Sequence, residues 1–156
     1  MGNNSVKESE KCKTYNSKYA KKQIAKKKYE AIIYDYLFDK YRMITQEELF
    51  DFVLVDYNIY LEIDEEQHFK SGNSKKKEEQ SRRDNEKIFK CLSKPATLVR
   101  ISWFSINNGQ YIDMINYCVQ NKSKIENKLV LSSKEVYENL DMLKGVNKSL
   151  IVYFQK

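Results

Sequence analysis

Three cysteines occur in the 156 residues, Cys12, Cys91 and Cys118, an odd number without close spacing. That argues against a disulfide framework and against a cysteine-based zinc site. No apolar run approaches the length of a membrane span, and the polar N-terminus lacks the shape of a signal peptide. An intracellular protein, cytoplasmic or nuclear and not secreted, with no membrane partner, is therefore expected. His68 is the single histidine, so a metal-free mechanism needing two imidazoles has no second partner. No internal repeat is visible. The most informative absence is local: from Met43 to Phe69 there is no Lys or Arg, although the chain has 28 of them.

What fills that gap is acid. Eight of the 22 acidic residues lie between Glu47 and Glu66, while the chain as a whole carries a net charge of +6 and a pI near 9.0. A basic protein points to a polyanionic partner. Gathering carboxylates in one apolar stretch is what a divalent-cation site requires.

That stretch, Phe50 to Phe69, reads as two strands, Phe50–Val55 and Ile59–Asp64, joined by turn chemistry at Asp56, Tyr57 and Asn58. A two- or four-residue loop pairs Val55 with Tyr60, Val53 with Glu62 and Asp51 with Asp64. Side chains alternate with period two. This register puts Asp51, Glu62 and Asp64 on one face and Phe52, Leu54, Leu61 and Ile63 on the other. A three-residue loop would split the acids. Two like charges about 4 Å apart repel by roughly 4 kcal/mol at an effective dielectric near 20, so such a cluster holds a proton or a cation. The competing reading is a solvated hairpin face whose acids point apart.

Asp51, then Glu62-Ile63-Asp64, then Gln67-His68 resembles the active-site signature of the restriction-endonuclease-like PD-(D/E)xK superfamily. The similarity is greatest to the branch of very-short-patch repair endonucleases, whose signature runs roughly D…E-x-D-G-x-Q-H. It spans about residues 29–103. Glu65 stands where the branch usually has Gly, and Asp64 occupies the position where many members carry Lys. The resemblance implies an α/β fold with an αβββαβ core, a mixed central sheet flanked by helices. It implies a Mg²⁺- or Mn²⁺-dependent endonuclease acting on DNA, as in restriction or DNA repair. Asp51, Glu62 and Asp64 would hold the metal, Gln67 and His68 would position water or the leaving oxygen, and Glu30 lies where relatives place a helix acid near the site. His68 reads equally as a loop or core residue.

The remainder reads as one domain over residues 18–156, with a core of about 20–122, a C-terminal extension of 123–156 and a disordered polar tail over 1–17. Apolar spacing through Ala25, Tyr29, Ile32, Ile33, Tyr36 and Leu37 predicts a helix from Ser17 to about Lys40. Its start carries Lys21, Lys22, Lys26 and Lys27, either a phosphate-contacting arm or a solvated helix end. Tyr41 to Thr45 reads as a short strand. Lys70 opens a loop, and Ser74 to about Ser93 is a second helix with Lys75, Lys76, Arg82, Arg83 and Lys87 on its charged half, which with Lys70 would contact nucleic-acid phosphate or simply project into solvent. Arg83-Asp84 with Lys87 resembles a basic-acidic pair that related nucleases carry there; exposed helical ion pairs are the alternative. Lys94-Pro95 ends that helix.

Ala96 to Ser102 is a buried strand containing Arg100, which faces phosphate, neutralises an acid or is purely structural. A loop over Ser105–Gly109, a helix over Tyr111–Val119, a strand at Leu129–Leu131, a helix over Ser133–Leu143 and a strand over Ser149–Phe154 complete the pattern. The partner expected is double-stranded or structured DNA, with monomer and homodimer both open. A catalytically inactive nucleic-acid-binding module of nuclease descent, or an interaction protein using its acidic hairpin, are the competing functions.

Overall fold

The computed structural model describes residues 27–45, 50–66 and 74–155. The expected tail over 1–17 and the candidate residues Lys21, Lys22, Lys26, Gln67, His68 and Lys70 lie outside the described residues.

Six strands form one mixed sheet in simple chain order: β1 (Met43–Thr45), β2 (Phe52–Leu54), β3 (Ile59–Asp64), β4 (Thr97–Ser102), β5 (Leu129–Ser133) and β6 (Ile151–Gln155). The first three are antiparallel neighbours, whereas β3 to β6 run parallel. Parallel neighbours need long crossovers. These are α2 (Ser74–Leu92) between β3 and β4, then α3 (Trp103–Asn107) and α4 (Gln110–Gln120) between β4 and β5. Helix α1 (Lys28–Leu37) precedes β1, and the four-residue α5 (Lys134–Tyr137) follows β5. The chain thus runs helix, three strands, helix, strand before its C-terminal elements.

Alternation along the strands gives each face its own core. On one face Phe52, Leu54, Ile59, Leu61, Ile63, Val99 and Ile101 pack against Ile33 and Leu37 of α1 and Met114, Ile115 and Cys118 of α4. On the other, Leu98, Leu129 and Leu131 pack against Ile88 and Cys91 of α2 and against Tyr137 and Met142. Among the described residues no helix is long and apolar enough to cross a membrane.

Three expectations need correction. The hairpin closes through a single 3₁₀ turn, Val55–Tyr57, with Asn58 in the left-handed region at φ 51°. The strands therefore pair Phe52 with Leu61, Val53 with Tyr60 and Leu54 with Ile59, two residues away from the predicted register. A shift of two preserves side-chain parity, so Phe52, Leu54, Leu61 and Ile63 still share one face. Residues 103–107 are helical, overlapping the loop expected over 105–109, because Ser102 caps them by accepting from the Ser105 amide. The predicted helix over 133–143 breaks after Tyr137 and resumes only as a 3₁₀ turn, Asp141–Leu143. Tyr137 and Met142 are both buried, and on a continuous helix they would point about 140° apart. An extended Leu140 between them brings both inward.

Candidate active site

At the C-terminal end of β3 a cleft of about 640 Å³ opens between the first turn of α1 and the middle of α2. Its walls include Glu30 from α1, Glu62 from β3, and Asp84 and Lys87 from α2. Asp51 also lines it, from a bend just before β2. There the Asp51 carboxylate replaces a missing rung of the ladder: its Oδ2 accepts from the Ile63 amide at 2.8 Å. That hydrogen bond fixes Asp51 beside Glu62, because Ile63 is the next residue of the same strand.

The acids perturb one another. Glu62 is only 6% exposed, and burial, reinforced by the Asp51 charge, pushes its pKa up to about 8. Glu30 is pushed up to about 7, again chiefly by burial and then by Asp51. Asp51 itself is raised by burial, against the lowering pull of the Ile63 amide. Lysines answer part of this charge. Lys87 Nζ stands 3.3 Å from Glu62 Oε1, and Lys27 Nζ stands 3.5 Å from Glu30 Oε2. A buried carboxylate cluster with perturbed ionisation in a cleft is a physical signature of a functional site.

The same shifts predict a pH dependence of stability. Both glutamates hold protons in the folded protein well above their usual 4.5, so the folded state binds more protons than the unfolded one. Their stabilisation is complete below about pH 4.5 and is lost as pH rises towards about 8. Thermal unfolding in EDTA should give a midpoint that falls between those limits, and Glu62→Gln should flatten the fall. A midpoint indifferent to pH over that range would contradict the burial and pairing described.

Asp64 is placed differently from its prediction. It is 0% exposed and forms a two-pronged pair with Arg100, whose Nε donates to Oδ2 at 2.9 Å and whose Nη2 donates to Oδ1 at 2.6 Å. The Tyr137 hydroxyl also donates to Oδ2, at 2.7 Å. Both carboxylate oxygens are engaged, so Asp64 is a buried structural anion and not part of the cleft lining. Arg100, equally buried, also pairs with Asp84 Oδ1 at 3.3 Å. A guanidinium enclosed by two acids has no path to phosphate, which removes Arg100 from the predicted nucleic-acid contacts.

Of the other predicted basic residues, Lys27 and Lys87 line the cleft. Lys75, Lys76, Arg82 and Arg83 lie exposed along α2, with Arg82 paired to Glu86 at 2.7 Å and Arg83 donating to Gln80 at 3.1 Å. Asp84, which the resemblance names only as part of a pair with Arg83 and Lys87, stands in the cleft itself. It precedes buried Ile88 by one helical turn, and Gln80, another turn earlier, donates to it at 3.1 Å. An acid in the apolar stripe of a helix was the available signal. Tyr137 carried none, since a tyrosine in a short helix reads as ordinary core.

Among the described residues no three His, Cys, Asp or Glu side chains are grouped to hold a metal ion. No protein-family model, no curated protein and no solved structure matches this chain.

Proposed function

We propose that this protein is a divalent-cation-dependent nuclease that hydrolyses phosphodiester bonds in DNA. The observation carrying this reading is the meeting of Asp51 and Glu62 in one cleft, with Glu30 beside them and lysines on the rim. The run of helix, three strands, helix and strand is also the order expected of the restriction-endonuclease-like core that the sequence resembles.

The donor chemistry fits Mg²⁺ or Mn²⁺. Both are hard cations, and Mg²⁺ sites commonly use only one or two carboxylates, completing their shell with water and substrate phosphate. Asp51 and Glu62 supply two such carboxylates, and the pKa of Glu62, raised by burial first and then by the Asp51 charge, includes a repulsion that a cation would relieve. When bound, the cation polarises the scissile phosphate and lowers the pKa of a water. The chain's own residues do the rest. Lys27, Lys28 and Lys87 offset the charge of an entering phosphodiester. The Ile63 amide holds Asp51 in place, and the Lys87 ammonium from α2 supplies beside Glu62 the cation that the strand lacks at Asp64.

A second reading, a nuclease-descended module that binds nucleic acid without cutting it, is favoured by the Lys87–Glu62 pair, which offsets part of the Glu62 charge without a metal. Plasmid nicking separates the two. Cleavage with Mg²⁺ that disappears in EDTA supports the nuclease. DNA binding without cleavage under either condition supports the module. In both, phosphate contact by lysine predicts binding that falls linearly in log K against log salt, with a slope near −0.9 per phosphate neutralised on duplex DNA. Salt-independent or absent binding would sink both.

A further inference from the structure

The sheet ends differently on its two sides. The β1 edge is three residues long and follows Arg42, whose guanidinium pairs with Asp56 at 2.7 Å. Shortness and neighbouring charge are common ways of blunting an edge. The β6 edge is longer, and the strand itself carries no charge. Its five residues, Ile-Val-Tyr-Phe-Gln, contain no charge and no proline, all are half-buried, and among the described residues no strand pairs with its outer side.

Beside that edge lies a hollow of about 540 Å³ whose apolar floor includes Leu140, Val146, Ile151 and Tyr153. Ile151 and Tyr153 are alternate residues of β6, so strand and hollow form one continuous surface on the face that α5 covers. An added strand would lay its own alternate side chains over this floor. The rim names the occupant. It carries both signs, Lys134, Lys144 and Lys148 with Glu138 and Asp141, and Lys134 pairs with Glu138 at 3.9 Å. A rim of one sign would repel itself across a two-fold axis, whereas a mixed rim is compatible with its own copy.

We propose that the β6 edge joins two copies of this chain, their β6 strands antiparallel about a two-fold axis near Tyr153, giving one continuous sheet of both subunits. A five-residue ladder alone is small for a stable dimer, and the adjoining hollow enlarges the contact. The pairing is independent of the chemistry in the cleft.

Light scattering and sedimentation of the full chain at micromolar concentrations should report the mass of two copies. Val152→Lys should weaken association by about tenfold or more, since a charged edge resists strand pairing, with the circular dichroism of a folded protein retained. Tyr153→Cys, under oxidising conditions, should form an intermolecular disulfide. Directly opposed Cα atoms in an antiparallel pair lie about 4.5–5.5 Å apart, within a disulfide's span. A monomer throughout that range, a folded Val152→Lys protein that associates unchanged, or no cross-link through Tyr153→Cys each overturns the pairing. Should Val152→Lys fail to fold, the other two measurements decide.

Discussion

Arg100→Met is expected to lose about 3–5 kcal/mol of stability, read as a lowered urea midpoint at unchanged slope. Met fills much of the space, so the loss reports charge more than cavity. The guanidinium is enclosed by Asp64 and Asp84 and is 0% exposed. Burial alone would lower its pKa, and the Asp64 carboxylate, with its hydrogen bonds, more than reverses that and holds it charged. Removing it leaves two acids beneath α2 without their cation. Breaking one partner of a buried pair is far worse than replacing the whole pair with apolar groups. Adding Asp64→Leu to Arg100→Met should therefore recover part of the loss, a coupling that a double-mutant cycle measures. Strictly additive losses would show that the pair does not hold β3, β4 and α2 together.

Asp51→Asn is the second large effect, on activity and not on folding. The amide oxygen can still accept from the Ile63 amide, as the carboxylate does at 2.8 Å, so the bend keeps its shape while the charge goes. On the proposed chemistry, Mg²⁺-dependent nicking should fall on the order of 10²-fold or more, the scale seen when one preorganised electrostatic group is removed. The metal-free protein should be no less stable, because the charge that helps burial push Glu62 up to about 8 is gone. Asp51→Ala should abolish nicking as well but destabilise the hairpin, since it orphans the Ile63 amide. Undiminished nicking by Asp51→Asn would remove this carboxylate from the chemistry.

Much of the fold was legible in the chain. The apolar stretches around Phe52–Leu54 and Ile59–Asp64, the turn residues between them and the helix-ending Lys94-Pro95 each speak through local propensity and period. So do the α2 and α4 helices and the strand over residues 97–102. Two short elements escaped. The helix over 103–107 is too brief for periodicity to register, and its signal is the single cap at Ser102. The break after Tyr137 comes from two distant burial demands, not from any local helix breaker.

For the site, parity proved more robust than register. The hairpin slid by two residues from its predicted pairing, and since side chains repeat every two residues, β2 and β3 kept their apolar side chains on one face and Asp51 stayed in the cleft with Glu62. The acid-rich, cation-free character of residues 43–69 was a property of the sequence by itself. Which acids share a cleft was not. Glu62 and Asp64 are two residues apart on one strand and alike in sequence. Only packing gave Asp64 a buried arginine from β4 and a tyrosine from α5, while setting Glu62 in the cleft with Asp51 and a lysine, Lys87, from α2. Those partners lie 36 and 73 residues from Asp64, beyond the reach of any local pattern. A carboxylate's role is set by the charge that meets it, and that charge arrives from across the fold.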